Sequence, residues 1–206
     1  MPADEPLAKD GAEEPRHYSD LGAVLDTALA MLVEGAEDRL APAHTPTLAT
    51  VGLDGTAQAR TVVLRGFERS CRMLRIHTDS RSGKIRELAA NPRAAVHLYD
   101  ASRKVQLRLS CIIKVHKSGP LWDDAWDGTR SMSRVCYQVT APPGNSVENP
   151  AAAVFSSAET QDGAQHFAML EARVDAVEWL YLSARGHRRA RFEWNRGGWH
   201  GTWLVP

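Results

Sequence analysis

The stretch Arg60-Thr61-Val62-Val63-Leu64-Arg65 is rich in β-branched residues and carries an arginine at each end. Side chains alternate across a strand, so every second residue from Arg60 onward is expected on one face. An arginine within a strand is costly to bury unless it meets an anion, and its planar guanidinium suits a phosphate. The stretch therefore predicts either a phosphate-binding strand or an edge strand with two ordinary arginines.

Short strands and turns surround this stretch. Asp54-Gly55 is a strong hairpin signal, because glycine accepts a positive φ. We predict strands over 45–51, 57–64, 73–78, 94–99, 105–115, 167–182, 190–194 and 198–204. We predict a helix from Leu21 that ends near Gly35 or Asp38, and helices over 82–90, 119–138 and 148–161. Strands that pair mostly in hairpins, with helices grouped between them, indicate a mainly antiparallel barrel with helical decorations. Residues 1–17 are expected to form a flexible arm and residues 18–206 a single domain.

The net charge of zero conceals a division along the chain. The chain has 25 basic and 25 acidic residues, yet residues 1–59 carry a balance of −8, residues 60–117 of +10 and residues 118–206 of −2. Neutrality argues against a general nucleic-acid binder, and the central excess predicts a local anion site. A solvated sheet face paired with acidic neighbours remains the alternative. The acidic start, the absence of a long apolar run and three scattered cysteines lead us to expect a soluble cytoplasmic protein without membrane contact.

A second phosphate signal follows the first along the chain. The segment from Ile76 to Lys84 leaves a strand and enters a helix N-terminus, where free N–H groups, hydroxyls and an ammonium can hold a phosphate. A capping turn with a solvated lysine is the alternative. Gln106 lies between apolar residues on the next hairpin, and its amide can donate and accept hydrogen bonds at once. Read alone, Gln106 could also be an exposed strand residue. The chain has no P-loop, no zinc-ligand spacing and no nucleophile motif, so we expect no metal site.

In this order and spacing, the segments resemble the pyridoxamine 5′-phosphate oxidase-like family of FMN-binding split barrels, over roughly residues 40–206. The resemblance implies an antiparallel six-stranded split β-barrel with helical decorations. It also implies a homodimer with two FMN sites at the subunit interface. The flavin would carry the chemistry, so no catalytic side chain is expected. By this likeness Gln106 would come from the partner subunit. The implied FMN contacts are Arg60, Thr61, Val62, Val63, His77, Thr78, Ser82, Lys84, Gln106 and Arg191.

The sequence departs from the family where substrate would bind. The family's oxidases hold pyridoxamine phosphate with a helical Tyr-x₃-Arg-x₃-Ser row and an Arg-x-His pair. The nearest row here is Trp126, Arg130 and Arg134, with Ser133 as an alternative end, and the C-terminal order is reversed in His187-Arg188-Arg189. The substrate contacts implied are Arg65, Arg130, Arg134, His187 and Arg189.

The resulting hypothesis is an FMN-binding oxidoreductase related to pyridoxamine 5′-phosphate oxidase that acts on an unidentified small molecule. Two alternatives stay open. One is a deazaflavin- or heme-using protein on the same barrel. The other is a flavin-binding sensor without turnover.

Overall fold

A computed structural model of the chain describes residues 15–152 and 163–206. The described residues form a nine-stranded antiparallel sheet with helices around it. The strands are β1 (Thr47–Val51), β2 (Ala57–Thr61), β3 (Leu64–Glu68), β4 (Met73–Asp79), β5 (Arg93–Asp100), β6 (Val105–His116), β7 (Phe167–Tyr181), β8 (Arg188–Asn195) and β9 (Gly198–Leu204). The helices are α1 (Leu21–Glu37), α2 (Gly83–Ala90), α3 (Pro120–Asp127) and α4 (Ser131–Arg134). Short 3₁₀ turns cover Arg16–Ser19, Pro42–His44, Val135–Tyr137, Pro150–Ala152 and Ala164–His166.

The 15-residue strand β7 organises the sheet. One edge of β7 pairs with β6 along nearly its whole length. The other edge is shared, because residues 167–173 pair with β4 and residues 176–181 pair with β8. The register with β6 shifts where β7 changes partner, between Val174 and Ala176. A bulge of this kind bends a strand and increases its twist. The shared edge therefore splits the sheet into two wings, with β3–β4 on one and β8–β9 on the other.

The core lies between α1 and the inward faces of the strands. Asp20 caps α1 by accepting a hydrogen bond from the Ala23 amide at 2.8 Å, as expected for an N-cap aspartate. Burial along β6 alternates strictly from Val105 to Ile113, which places one face of the strand in the core. A smaller aromatic cluster joins α3 to the start of β7 and contains Trp126, Tyr137 and Phe167. That cluster brings the segment after β6 close to the end of β4.

The predicted fold class is confirmed, and the described residues contain nine strands rather than six. The prediction of one strand over 57–64 is wrong. The strand ends at Thr61 because β2 pairs with β1, whereas β3 begins at Leu64 and pairs with β4, at the opposite end of the strand order. The predicted helix over 119–138 is broken, since α3 ends at Asp127 and Arg130 is already the N-cap of α4.

The terminal and loop predictions are tested only in part. Within the predicted helix 148–161, residues 150–152 form a 3₁₀ turn and residues 153–162 lie outside the described residues. Most of the predicted arm, residues 1–14, also lies outside them, and its end forms the 3₁₀ turn at Arg16–Ser19. The division into an arm and one domain stays a prediction. Within the described ranges, no helix is long and apolar enough to cross a membrane.

Candidate cofactor and substrate site

A cationic cluster lies where the end of β4 and the first turn of α2 approach Arg60 of β2, and we define it as Arg60, Thr78, Ser82 and Lys84. The Lys84 ammonium donates to the Thr78 hydroxyl at 2.9 Å and to the Ser82 hydroxyl at 3.1 Å. Both hydroxyl residues are buried, and Ser82 is the N-cap of α2. The Ser82 hydroxyl donates to the Asp79 carbonyl at 2.8 Å rather than capping the helix with a side-chain bond. The ammonium is therefore fixed beside the first turn of α2.

Arg60 reaches the same helix from β2. Its Nη2 donates to Glu87 Oε2 at 2.8 Å, and its Nη1 donates to the Thr50 hydroxyl. Thr50 in turn donates to Glu87 Oε2 at 2.5 Å. Because α2 supplies Glu87 as well as Lys84, this triangle brings the Arg60 guanidinium to the helix that carries the ammonium.

The electrostatics of the cluster favour an anion. Burial lowers the pKa of Lys84, and the nearby Arg60 lowers it further, against opposing effects of Glu87 and Asp79. A phosphate near the ammonium would relieve this repulsion, and the N-terminus of a helix adds partial positive charge. The Thr78 hydroxyl, two cations and a helix N-terminus offer donors of the kind that a phosphate requires, whereas the Ser82 hydroxyl already donates to the Asp79 carbonyl. The residues present therefore fit the phosphate group of FMN.

The segment between Arg60 and Arg65 connects the cluster to a cavity. Val62 and Leu64 are buried, and the Val62 amide donates to the Pro46 carbonyl at 2.9 Å. Thr61 is exposed and Val63 is half-buried. The segment thus presents Thr61 and Val63 away from the core, on the path from the cluster to the cavity.

The cavity has a volume of about 220 Å³ and opens beside His77. Its charged and polar lining includes Glu37, Arg39, His44, Arg65, His77, Thr129, Arg130 and Ser133. Burial lowers the pKa of His77 to about 4, with further contributions from Arg65 and Arg75. The ring packs edge-on against Phe167 at 4.9 Å, and Nδ1 lies 3.3 Å from the Thr129 hydroxyl. His77 is therefore neutral near pH 7, and the lining holds three arginines, Arg39, Arg65 and Arg130, against one carboxylate, Glu37.

Three predicted substrate contacts are engaged elsewhere in the chain. Arg134 donates to the carbonyls of Trp126 and Thr129 at 2.7 and 3.0 Å, and its guanidinium lies 4.4 Å from the centre of the Trp126 ring. Arg189 binds Glu178, and His187 accepts a hydrogen bond from the Ser183 amide. The break after α3 also means that the predicted row does not lie on one continuous helical face. Of the five predicted substrate residues, Arg65 and Arg130 meet in the cavity.

Gln106 and Arg191 lie at the other end of the sheet. Gln106 is opposite Leu180 on β7, whereas Thr78 is opposite Ala168, twelve positions away along the same strand. At about 3.3 Å per residue this corresponds to roughly 40 Å along the strand. Arg191 forms an ion pair with Glu193 at 2.8 Å. Along β7, Gln106 and Arg191 are therefore far from the Thr78 end of the cationic cluster in their own chain.

The sequence analysis missed Thr50, Glu87 and Thr129 as site residues. Thr50 could have been found, because it is a polar residue at an inward position of the alternating strand β1. Glu87 follows Gly83 by four residues and so lies on the same helical face. Thr129 gave no comparable signal, since it lies in the turn between α3 and α4.

The fold is a split barrel of the kind found in FMN-binding proteins, and comparison with known proteins agrees. Residues 26–117 match the family described as pyridoxamine 5′-phosphate oxidase, FMN-binding domain. The chain is 31% identical to the pyridoxine/pyridoxamine 5′-phosphate oxidase of Cupriavidus necator over 182 residues, 84% of each protein. Identity to the Arabidopsis thaliana pyridoxine/pyridoxamine 5′-phosphate oxidase 2 is 36% over 102 residues, 46% of this chain and about half (52%) of that protein. The chain belongs to the pyridoxamine 5′-phosphate oxidase-like family.

Two solved structures share the fold. One is a pyridoxamine 5′-phosphate oxidase-related, FMN-binding protein from Nostoc punctiforme, with a TM-score of 0.71, 23% identity and coverage of 87% of this chain and 96% of that chain. The other is PhzG from Burkholderia lata in complex with tetrahydrophenazine-1-carboxylic acid, with a TM-score of 0.67, 21% identity and coverage of 94% and 98%. At these identities the likeness shows the fold.

Proposed function

We propose that the chain is an FMN-dependent oxidoreductase in which the cationic cluster holds the FMN phosphate. The observation that carries this proposal is the Lys84 ammonium, held between two buried hydroxyls at the first turn of α2 with the Arg60 guanidinium nearby. Membership of an FMN-binding family supports the same assignment. FMN would supply the redox chemistry, and the chain would bind and orient it.

The remaining proposed contacts follow from the position of the phosphate. The segment Thr61–Val63 would lie along the flavin, since it leads from Arg60 to the cavity. The cavity beside it would take the substrate. Arg65 and Arg130 both line this cavity and are exposed to a ligand there. Their charge favours a small molecule with an anionic group.

A homodimer would complete the site. Gln106 and Arg191 lie at the opposite end of the sheet from the cluster in their own chain. If they contact FMN, as the family resemblance implies, a second copy must supply them. Each flavin site would then contain residues from both chains.

The decisive experiment is to purify the protein and titrate the FMN-free form with FMN. We expect yellow protein, a stoichiometry of one FMN per chain, and a mass by light scattering of twice the 22.7 kDa of the chain. Riboflavin, which lacks the phosphate, should bind more weakly than FMN.

Other outcomes would contradict the proposal in different ways. Colourless protein that fails to bind added FMN would overturn the cofactor assignment. A Soret band, or a preference for deazaflavin in the same titration, would favour the alternative cofactors. A monomer that binds FMN at full affinity would remove the shared site and leave the phosphate assignment intact.

A further inference from the structure

Glu87 places a carboxylate next to a site that otherwise favours anions. Its Oε2 accepts hydrogen bonds from Arg60 Nη2 at 2.8 Å and from the Thr50 hydroxyl at 2.5 Å. Its side chain is only 13% exposed. A carboxylate near a phosphate repels it, so this residue needs a physical reason for its position.

The hydrogen-bond geometry supplies that reason. A guanidinium has five N–H donors. Within the described part of the chain, Arg60 donates one N–H from Nη1 to Thr50 and one from Nη2 to Glu87. Three donors are left for a ligand while both contacts are kept. The carboxylate can therefore stay bound to Arg60 when a phosphate arrives.

The charges around Arg60 support the same view. Without a ligand, the half-buried Arg60 and Lys84 repel each other, and Glu87 is the carboxylate that offsets this repulsion from the same helix. A long arginine side chain also loses conformational freedom when it is fixed in place. An arginine fixed before binding loses less of this freedom on binding, which favours affinity.

We infer that Glu87 is a positioning residue, which fixes the Arg60 guanidinium so that its remaining donors meet the phosphate of the cofactor. The inference rests on the proposed FMN site. Glu87 itself would not touch the phosphate. Its contribution to affinity would depend on Arg60, on the length of its own side chain and on the presence of a phosphate in the ligand.

The test is a set of equilibrium titrations of FMN-free protein with FMN and with riboflavin. Glu87→Ala should weaken FMN binding by about tenfold, the scale of one lost charge-assisted contact, and leave riboflavin binding unchanged. Glu87→Gln keeps an acceptor oxygen at the same reach and should stay within about threefold of the wild type. Glu87→Asp keeps the charge but is one methylene shorter, so it should lose affinity for FMN as the alanine variant does.

A double-mutant cycle separates positioning from general stability. In an Arg60→Ala background, Glu87→Ala should weaken FMN binding no further, because the residue it positions is gone. Glu68→Ala, which removes an exposed carboxylate from β3, is the matched control and should bind FMN normally. Circular dichroism would establish that each variant is folded, and Glu87→Asp keeps the test decisive if the alanine variant is not.

The possible failures are distinguishable. Wild-type protein that binds no FMN overturns the proposed function and this inference together. If the wild type binds FMN and both Glu87→Ala and Glu87→Asp bind it equally well, only the inference fails. Equal losses for FMN and riboflavin, or additive losses in the cycle, would also overturn it, because Glu87 would then act by a route other than Arg60 and the phosphate.

Discussion

The two ends of the sheet each carry a set of two cations and one carboxylate, in different arrangements. At one end, Arg60 and Lys84 accompany Glu87. At the other end, Arg108 and Arg189 accompany Glu178. At the second end both arginines bind the one carboxylate, each at 2.6 Å. At the first end the carboxylate binds Arg60, while Lys84 contacts two neutral hydroxyls. A ligand site is therefore indicated by a cation whose hydrogen-bond partners are neutral, rather than by the number of charges nearby.

The titration behaviour of the two ends differs accordingly. Burial alone would raise the pKa of Glu178, but hydrogen bonds from Arg189 and Arg108 outweigh it and the pKa is lowered. At this end each charged group therefore has a partner of opposite charge. The pKa of Lys84 is instead lowered by burial and by Arg60, so its charge is destabilised until an anion arrives. The Glu178 end should therefore serve stability and the Lys84 end should serve binding.

Replacing Arg60 should have the largest effect and tests the binding end. Arg60→Ala should lose about 1.5–3 kcal/mol of FMN affinity, the scale of a charge-assisted hydrogen bond, without unfolding the barrel. Titration with FMN and thermal unfolding would measure the two quantities. Arg69→Ala is a suitable control, because Arg69 pairs with Asp26 on the surface and its side chain is 51% exposed. Unchanged FMN affinity in Arg60→Ala would show that the phosphate lies elsewhere.

Replacing Glu178 should have a smaller effect, and this effect should be on stability rather than on FMN binding. Glu178→Ala leaves Arg108 and Arg189 without their shared partner, and the free energy of unfolding should fall by about 1–2 kcal/mol, given that both arginines are partly solvated. Urea unfolding would measure this loss. The ratio of FMN to riboflavin affinity should stay at its wild-type value. A change in that ratio would show that the Glu178 end also contributes to FMN binding.

The sequence placed Arg60 on a strand and Ser82 at the start of a helix, because both features depend on local order, while their contacts with a phosphate stay predictions. A strand that carries Arg60 and a turn that leads into a helix at Ser82 are each encoded within about ten residues. What joins them is tertiary structure. Arg60 binds Glu87, which is 27 residues away in the sequence, and Thr50, which lies across the β1–β2 hairpin. No local sequence pattern predicts either contact.

The helix predicted over 119–138, which carries the proposed substrate row, is broken for the same physical reason. The spacing of Arg130 and Arg134 would place both on one face of a continuous helix. The chain instead turns after Asp127, where Arg134 folds back over Trp126 and binds its carbonyl. The aromatic cluster around Phe167 decides this turn, and its members are up to 45 residues apart in sequence. Helical periodicity does not reveal such long-range packing.

His77 should have the smallest effect, which is on the pH dependence of stability. This dependence lies in a different pH range from that of Glu178. Burial, with repulsion from Arg65 and Arg75, lowers its pKa from 6.5 to about 4 in the folded protein. As pH falls below 6.5 the unfolded chain takes up a proton that the folded chain does not, so stability should decline until about pH 4. Between pH 7 and pH 6 the loss should reach at most about 1 kcal/mol.

Urea unfolding of FMN-free protein at several pH values would measure this decline, and His77→Gln should make it shallower. Glu178 acts in a different range. A carboxylate with a lowered pKa contributes stability above its unfolded value, near 4.5, and loses it as pH falls through the lower folded value. Glu178→Gln should therefore leave the slope near neutral pH unchanged and alter only the acidic part of the curve. If His77→Gln and the wild type had equal slopes between pH 7 and pH 5, His77 would not be held neutral by its surroundings. The cavity beside the cluster would then carry one more positive charge in mild acid than the structure assigns to it.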